Sequence, residues 1–512
     1  MIFNSYSIVF FQKISLRRII LYVIINFNEN NKKWGKNMTN KRFNIFLGII
    51  SLVAAVLYFL LCQGDLVWMD EAYTFGMIRR SYSDMCAVTA LDVHPPLFYI
   101  LLKTFALPFS NKLLAGKIFS VIPYVILIVF GGVQLRKLFS GRAGIAYGIL
   151  FLAFPFMLKY AVEVRMYSLA ALFVFINAVY AYRAYVFNTK KDWVLFTLFG
   201  LMSAYTHYFS LASTGIVYAI LFIAIIAKRR EIFKSWLLCS LITVILYLPW
   251  FKFFIDQLRY KIDNEYWIEP ITLKTLKSYF ADVFGVDGQF VSAIASFCVS
   301  AVMIAGLSKS RKGDRLPLIL AASVPVITLL AGLIASWIIR PVFVIRYLLP
   351  SVPLLIAAMA VGLSDINSRT VRTVLVLAAV VLGALSYSVA YYDRNTHFED
   401  RIDSDFYLRN NDCDAYIVTV DTPQPPGHTE TVLAYYETEK PIYQVIENYG
   451  YYPFENFRYI DDFNSDNYDR VILFMAEGKD IPDFITNDYE CEYRETATSL
   501  WIMADVYLLT KH

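Results

Sequence analysis

Long apolar stretches alternate with short polar segments between residues 43 and 391. Most of these stretches approach the ~20 residues that an α-helix needs to cross the hydrocarbon core of a bilayer. The pattern therefore predicts a polytopic α-helical membrane domain. Eleven spans are predicted, at 43–62, 118–135, 143–161, 166–187, 193–208, 211–227, 236–255, 291–307, 316–338, 347–363 and 373–391.

One more apolar run, 97–109, follows two prolines and is too short to cross a membrane. We predict an interfacial or re-entrant helix there. If this run does not cross, the five basic loops that follow it face the cytoplasm, as the positive-inside rule requires. If it crossed, all five would face outwards. The first outer loop, 63–117, is therefore long and extracytoplasmic.

The two ends of the chain differ from its middle. Residues 1–37 hold an apolar run cut by basic residues, which we interpret as an overextended reading frame or an interfacial arm. Residues 38–391 form the membrane domain. From 392 to 512 the sequence is acidic and rich in Tyr and Asn, with short β-rich runs, which predicts a small extracytoplasmic α/β or α+β domain. A disulfide between Cys413 and Cys491 is compatible with that location.

The composition is that of a cell-membrane protein. Hydrophobic residues make up 58% of the chain and the mean hydropathy is +0.50, both too high for a soluble globular protein. The net charge of +5 lies largely in short loops and forms no basic stripe, so a nucleic-acid partner is not expected. The six cysteines show no CxxC spacing, which argues against a zinc or redox site.

Two acidic clusters stand out in the first outer loop, Asp70-Glu71 and Asp92-Val93-His94. Ionisable groups at membrane depth are costly to place and therefore indicate function. A carboxylate there is suited to act as a general base, and Lys or Arg to hold an anion such as a lipid phosphate. The candidates at the outer ends of the helices are Asp70, Glu71, Asp92, His94, Lys117, Glu163, Arg165, His207, Arg340 and Arg346.

Each candidate also fits a structural role. Asp70 and Glu71 fit the acidic first turn of a helix. Arg340 and Arg346 fit interfacial anchors whose charged ends reach water. His207, which precedes a tyrosine, fits an interfacial aromatic pair. The joint occurrence of these groups on one side of the membrane is what favours a functional site.

Five motifs follow one another along the membrane domain: Trp68-Met-Asp70-Glu71, Asp92-Val-His94-Pro95-Pro96-Leu97-Phe98-Tyr99, Glu163-Val-Arg165-Met-Tyr167-Ser-Leu169, His207-Tyr208 and Arg346-Tyr347-Leu-Leu-Pro350. Together they resemble the GT-C superfamily of integral membrane glycosyltransferases, and within it the protein O-mannosyltransferase and aminoarabinose-transferase-like branch. The resemblance covers residues 43–391. Its most specific parts are the DVHPPL string and the acidic pair after the first span.

The resemblance implies an inverting glycosyltransferase that moves a sugar from a polyprenyl-phosphate donor to an acceptor at the outer face of the cell membrane. By position, Asp70 would be the general base that deprotonates the acceptor hydroxyl, and Glu71 would orient the acceptor or the donor. Lys117, Arg165 and Arg346 would bind the phosphate. Lys117 stands where the family has Arg, which keeps the charge but loses the two-pronged hydrogen bonding.

The other site residues are assigned to substrate binding. The resemblance implies that Asp92 and His94 shape the acceptor side of the cavity. It implies no cofactor, and transfer in this family needs no metal at the reacting bond; Asp92, His94 and Glu163 are the one set that would gather a divalent metal. The remaining substrate-binding candidates are Glu163, Tyr167, His207, Arg340 and Tyr347.

Two other classes of function stay open. A transporter or flippase for a polyprenyl-linked or other anionic substrate would place charges near the bilayer midplane and break helices in related halves. The sequence shows neither an inverted repeat nor acidic residues in mid-span. A non-catalytic relative that presents its outer domain as a binding module is the second alternative. Besides membrane lipids, the expected partners are the lipid-linked sugar and an acceptor, which is a protein, a glycan or a lipid.

Overall fold

A computed structural model describes residues 39–63, 67–263, 268, 270–309, 316–410, 413–419, 433–435, 439–444, 456–476, 480–497 and 504–512. These residues form a helical membrane domain and a small β-sheet domain. The interpretation of residues 1–37 concerns residues outside this description.

The membrane domain consists of helices that are joined mostly by short segments. They are α1 (Asn40–Leu61), α2 (Met69–Arg79), α3 (Tyr82–Leu91), α4 (Leu97–Ala106), α5 (Lys112–Leu138), α6 (Gly141–Ala153), α7 (Pro155–Lys159), α8 (Tyr167–Phe187), α9 (Lys190–Ala204), α10 (Tyr208–Lys228), α11 (Phe233–Asp263), α12 (Leu273–Phe284), α13 (Phe290–Ala305), α14 (Leu316–Ile338), the 3-10 helix Ile345–Ser351, α15 (Val352–Asp365) and α16 (Arg369–Asn410).

Within the described residues, nine helical segments are long and apolar enough to cross a membrane, and the chain is a multi-pass membrane protein. Nine of the predicted spans coincide with these segments. The other two, 143–161 and 193–208, coincide largely with α6 and α9, which have only 13 and 15 residues. The total of eleven crossings therefore stays a prediction. The helix α4 has 10 residues, or about 15 Å, which agrees with the prediction that 97–109 is too short to span.

Small residues let the first helices of the domain approach closely. A Cβ atom at Gly144 of α6 would lie 2.3 Å from the carbonyl oxygen of Gly132 in α5, and one at Gly132 would lie 2.7 Å from Leu47 of α1. Helices in a membrane gain little from excluding water, so close contact between their backbones is an important source of packing energy. These glycines therefore fix α1, α5 and α6 against each other.

The helices α2 and α3 are capped at their C-terminal ends by side chains from other elements. Lys103 of α4 donates hydrogen bonds from Nζ to the carbonyl oxygens of Ile78 (2.8 Å) and Arg80 (2.6 Å) at the end of α2. Gln257 of α11 donates to the carbonyl of Thr89 (2.9 Å) at the end of α3. The last carbonyls of a helix have no partner within the helix, so these bonds anchor both helices to the membrane domain.

The C-terminal domain is a small six-stranded mixed sheet, as predicted for an α/β or α+β module. The strand order is β3-β2-β1-β4-β6-β5. The strands β1 to β4 are parallel to one another, and β6 pairs antiparallel with both β4 and β5. The strands are β1 (Ala415–Val418), β2 (Ile442–Gln444), β3 (Phe457–Tyr459), β4 (Arg470–Ala476), β5 (Tyr489–Ala497) and β6 (Ala504–Lys511).

Alternating residues of the sheet build an apolar cluster on each face. Tyr416 and Val418 belong to one cluster, and Ala415 belongs to the other. Cys413 lies in the first cluster and Cys491 packs against the second, and the two do not form a disulfide with each other. The disulfide considered from the sequence is not formed, because the two cysteines pack on opposite faces of the sheet.

The sheet domain contacts α2, the helix that begins with the acidic pair. Arg79 donates hydrogen bonds to the carbonyl oxygens of Ala434 (3.3 Å) and Tyr435 (2.9 Å). The ring of Tyr435 lies 5.4 Å from that of Phe75, centre to centre. Tyr435 packs against both the membrane-domain core and the sheet-domain core, so it joins the two domains beside α2.

Candidate active site

The acidic pair begins α2 and its two carboxylates point to different partners. The backbone of Trp68 is extended at the N-cap, and its N–H donates to Oε2 of Glu71 at 3.4 Å. A carboxylate in the first turn of a helix interacts favourably with the unpaired N–H groups there. The helix-capping role considered for the acidic pair is therefore filled by Glu71.

The carboxylate of Asp70 lies between two arginines. Its Oδ2 is 3.2 Å from Nη2 of Arg346 and 3.8 Å from Nε of Arg165. All three side chains are largely buried, with exposed fractions of 15%, 17% and 5% respectively. An anion and two cations this close in a region shielded from water interact strongly. The structure thus brings together three candidates that are far apart in sequence.

Arg165 is held in place by neutral oxygens as well as by the charge of Asp70. Its Nη1 lies within hydrogen-bonding distance of the carbonyl oxygen of Asp70 (3.2 Å), the hydroxyl of Thr74 (3.3 Å) and the hydroxyl of Tyr99 (3.4 Å). These oxygens belong to α2 and α4. The guanidinium therefore connects α2 and α4 to the segment that precedes α8.

Glu71 fixes this same segment. Its Oε1 accepts a hydrogen bond from the backbone N–H of Val164 at 2.9 Å, while its Oε2 accepts from Trp68. The side chain is only 4% exposed. Both carboxylate oxygens thus bind backbone groups, and Glu71 holds Val164, and with it Arg165, beside Asp70.

The 3-10 helix Ile345–Ser351 brings Arg346 and Tyr347 to the site. The guanidinium of Arg346 stacks 5.2 Å above the ring of Trp68, a favourable cation–π contact. The ring of Tyr347 stacks on Phe209 at 5.0 Å and lies 6.5 Å from the ring of Tyr167. Aromatic packing therefore orients the segment that presents Arg346 to Asp70.

Asp92, His94 and His207 form a second group beside the first. Oδ2 of Asp92 is 3.6 Å from Nδ1 of His94. The imidazole rings of His94 and His207 are 5.6 Å apart, centre to centre. His207 caps α10, because its Nδ1 accepts the backbone N–H of Phe209 at 3.1 Å. Burial raises the pKa of Asp92. The combined effect of His94, a backbone N–H and Arg165 lowers it by more, so the pKa of Asp92 lies below its usual value. Asp92 is therefore ionised at neutral pH.

Glu163 forms no ion pair among the described residues, unlike Asp70 and Asp92. It lies between α7 and α8, and its Oε1 is buried without a hydrogen-bond partner among the described residues. Burial raises the pKa of Glu163 to about 8; Arg346 lowers the pKa, whereas Asp70 and Glu71 raise it. This carboxyl is therefore largely protonated at neutral pH.

The two remaining cationic candidates lie near the site in different ways. Lys117 is buried in α5, and the adjacent Gly116 packs so closely on Phe75 and Val164 that a Cβ there would be 2.9 Å from each. The backbone at Lys117 therefore adjoins both α2 and the segment that carries Arg165. Arg340 follows α14 in the extended segment that leads to Arg346, and it is partly buried.

Three contacts of the site were missed by the sequence reasoning. Trp68 stacks on Arg346, while Thr74 and Tyr99 bind Arg165. Thr74 has a sequence signal, because it lies one helical turn after Asp70 on the same face. Trp68 and Tyr99 belong to quoted motifs, but no local pattern assigns them a partner.

The structure gives no support for a metal set. Among the described residues, no three or more His, Cys, Asp and Glu side chains are arranged to hold a metal ion. Asp92 and His94 adjoin each other, but Glu163 does not form a metal group with them.

Comparison with solved structures finds the same fold in ArnT and in an arabinofuranosyltransferase. ArnT from Cupriavidus metallidurans in the apo state matches with a TM-score of 0.62 and 12% identity, over 91% of this chain and 98% of that chain. The same values hold for ArnT bound to undecaprenyl phosphate. The arabinofuranosyltransferase AftD from Mycobacteria matches with a TM-score of 0.54 and 11% identity, over 94% of this chain and 40% of that chain.

These matches confirm the predicted GT-C type of fold. At 11–12% identity the likeness concerns the fold alone and does not assign a branch of the superfamily. No family model matches the sequence, and a search of curated proteins finds no match.

Proposed function

We propose that this chain is an inverting glycosyltransferase that moves a sugar from a polyprenyl-phosphate donor to an acceptor at the outer face of the cell membrane, with Asp70 as general base. The observation that supports this most is the position of Asp70 between Arg346 and Arg165. A base and two phosphate-binding cations are thereby brought to one point. The fold shared with ArnT, which has been solved with undecaprenyl phosphate, supports the same class of donor.

The two arginines are suited to bind the donor phosphate. A guanidinium offers paired N–H donors that match phosphate oxygens, and it stays charged at any physiological pH. During transfer, negative charge develops on the departing phosphate. Arg346 and Arg165 stabilise that charge more than they stabilise the intact donor, and this difference accelerates the reaction.

Donor binding also activates the base. While Asp70 is paired with both arginines, its carboxylate is a weak proton acceptor, because nearby positive charge favours the ionised form. A phosphate that binds Arg346 and Arg165 shares their charge, so the proton affinity of Asp70 rises when the donor is in place. Asp70 then takes the proton of the acceptor hydroxyl as that oxygen attacks the anomeric carbon from the side opposite the phosphate.

The other residues surround this centre. Asp92, His94 and His207 line the acceptor side, where ionised Asp92 orients the imidazole of His94. Glu71 acts through the backbone of Val164 and keeps Arg165 in position. The charged groups come from helix ends and connecting segments, which suits a reaction site at the membrane surface better than a transport path at mid-membrane.

The test uses the purified full chain in lipid nanodiscs with a panel of polyprenyl-phosphate hexoses and pentoses. Asp70→Asn should lower transfer by about 10²- to 10⁴-fold while the protein stays folded. Asp84→Asn is the matched control, because Asp84 is exposed and bonds only to nearby Ser81 among the described residues. Transfer at the wild-type rate in Asp70→Asn would remove Asp70 as the base, and movement of the donor across the membrane without transfer would favour the flippase.

A further inference from the structure

Glu163 lies in the segment 160–166, directly before Val164 and Arg165, and both of these residues are held by hydrogen bonds. The next residue, Val164, is bound through its N–H to Glu71 at 2.9 Å. The N–H of Arg165 donates to the carbonyl oxygen of Glu163 at 2.8 Å, which makes a tight turn. The backbone of Glu163 is therefore fixed on its C-terminal side.

The side chain of Glu163 lacks the partners that an ionised carboxylate needs. Its Oε1 is buried, and no described residue forms a hydrogen bond with this atom. It also forms no ion pair within 4.0 Å in the described part of the chain. A buried charge without partners costs several kcal/mol, so such a carboxyl lowers its free energy by keeping its proton.

The charged groups around Glu163 act on its pKa in both directions, and burial has the largest effect. Arg346 and Arg165 lower the pKa, whereas Asp70 and Glu71 raise it. The other titratable neighbours are three tyrosines, which are neutral at physiological pH: Tyr124, Tyr160 and Tyr167.

Asp70 and Glu163 thus have opposite surroundings within one site. Asp70 forms ion pairs with Arg346 and Arg165, which favour its ionised form, whereas Glu163 forms no ion pair among the described residues and its burial favours the protonated form. Two carboxyl groups whose surroundings separate their protonation states in this way are suited to serve as the base and the acid of one reaction.

We propose that Glu163 is the general acid of the sugar transfer and gives its proton to the departing lipid phosphate. This proposal rests on the proposed function and adds to it a second catalytic residue. In the step, the bond between the acceptor oxygen and the anomeric carbon forms, and the bond between that carbon and the phosphate oxygen breaks. The hydroxyl proton goes to Asp70, and the proton of Glu163 goes to the phosphate.

The charges balance in this step. The donor is a phosphate diester with one negative charge, and the protonated product is a monoester that also carries one negative charge. After transfer Asp70 is neutral and Glu163 is ionised. Water then takes the proton from Asp70 and returns one to Glu163, so no other reactant is needed. A neutral Glu163 also admits the anionic donor, which an ionised Glu163 would repel.

Infrared spectroscopy of the full chain in nanodiscs tests the protonation state without using activity. A protonated carboxyl has a C=O stretching band that a carboxylate lacks. We expect such a band in the wild type at neutral pH, its loss with a midpoint near pH 8, and its absence in Glu163→Gln. Asp84→Asn is the control and should keep the band, because Asp84 is exposed and bonds only to nearby Ser81 among the described residues. The same spectrum in the wild type and in Glu163→Gln would overturn the proposal.

Kinetics then separates a general acid from a residue that only fills space. Glu163→Gln keeps the size and the polarity but has no proton to give, so kcat should fall by about 10²- to 10⁴-fold with little change in the donor KM. Wild-type activity should decline above about pH 8, as Glu163 loses its proton, and this decline should be absent in Glu163→Gln. Glu163→Asp should restore part of kcat and of that decline. If Glu163→Gln keeps the wild-type kcat while Asp70→Asn is inactive, Glu163 is not the general acid and the proposed function still holds.

Discussion

Asp70 and Glu71 are neighbours in sequence, but their side chains have different tasks. Asp70 faces Arg346 and Arg165, whereas both oxygens of Glu71 accept backbone N–H groups. The sequence prediction assigned a catalytic role to both. The contacts of Glu71 support a positioning role, because a carboxylate that already binds two backbone groups is poorly placed to bind a substrate as well.

The substitution Glu71→Gln should distinguish positioning from catalysis. An amide has only one acceptor oxygen, so one of the N–H groups of Trp68 and Val164 is left facing an NH₂ group. We expect a loss of about 1–3 kcal/mol in the free energy of unfolding, visible as a lower Tm. Glu231→Gln is the control, because Glu231 is 63% exposed and its pair with Arg229 contributes little. An unchanged Tm with abolished transfer would instead support direct catalysis by Glu71.

The pH dependence of stability gives a second test at the residue scale. The pKa of Glu163 in the folded state is about 8, above the ordinary value of 4.5, so the folded state binds more protons between these limits. The stabilisation is complete below about pH 4.5 and is lost as the pH rises through about 8. We therefore expect the Tm of the wild type to fall relative to that of Glu163→Gln as the pH rises across this window. Parallel Tm curves would contradict the raised pKa.

At the scale of elements, α2 is fixed at one end by its own side chain and at the other by a neighbouring helix. Its N-terminus is capped by its own Glu71, and its C-terminus by Lys103 of α4. A helix of 11 residues is marginal in isolation, so the local cap at its start and the tertiary contacts of Glu71 and Lys103 hold α2 in place. The position of Asp70 follows from them, because it lies in the first turn.

Replacement of Lys103 by Met should loosen the end of α2. Two charge-assisted hydrogen bonds to the carbonyls of Ile78 and Arg80 are lost, a cost of about 1.5–3 kcal/mol to local stability. Amide hydrogen exchange in residues 76–80 should accelerate on the order of 10- to 100-fold. Lys190→Met, at an exposed position in the first turn of α9, is the control. Unchanged exchange in Lys103→Met would show that the packing of α2 alone holds its end.

At the scale of the whole molecule, the sheet domain and the membrane domain meet at α2. Arg79 and Phe75 contact Tyr435, which lies between the two cores. The site helix therefore has the acidic pair at its beginning and the sheet domain at its end. If the membrane domain starts in the cytoplasm and crosses the membrane eleven times, the sheet domain is extracytoplasmic. This orientation stays a prediction.

The contact of Arg79 with the sheet domain should contribute measurably to docking. Arg79→Ala removes the hydrogen bonds to Ala434 and Tyr435, worth about 1 kcal/mol for a partly exposed pair. Limited proteolysis should release the sheet domain roughly fivefold faster, with the Tm of the membrane domain unchanged. Arg230→Ala, which changes an arginine remote from this interface in sequence, is the control. Equal cleavage rates in Arg79→Ala and the wild type would mean that Arg79 does not hold the domains together.

The sequence by itself determined the division into a helical membrane domain and a small sheet domain, the positions of nine spans, and the short length of 97–109. These features are readable because the length of an apolar run and the charge of a loop are local properties. The sequence also singled out the candidate residues, because ionisable groups are rare near apolar runs, and their roles stay predictions. The short helices α6 and α9 were overestimated, since the apolar composition continues past the ends of these helices.

Only the tertiary structure decided which candidates meet. The pairing of Asp70 with Arg346, the bond from Val164 to Glu71 and the lack, among the described residues, of a hydrogen-bond partner for Oε1 of Glu163 all depend on how distant helices pack. The same is true of the separation of Cys413 from Cys491 on opposite sheet faces. A side chain's protonation and its role follow from its neighbours in space, and no local pattern of residues specifies those neighbours.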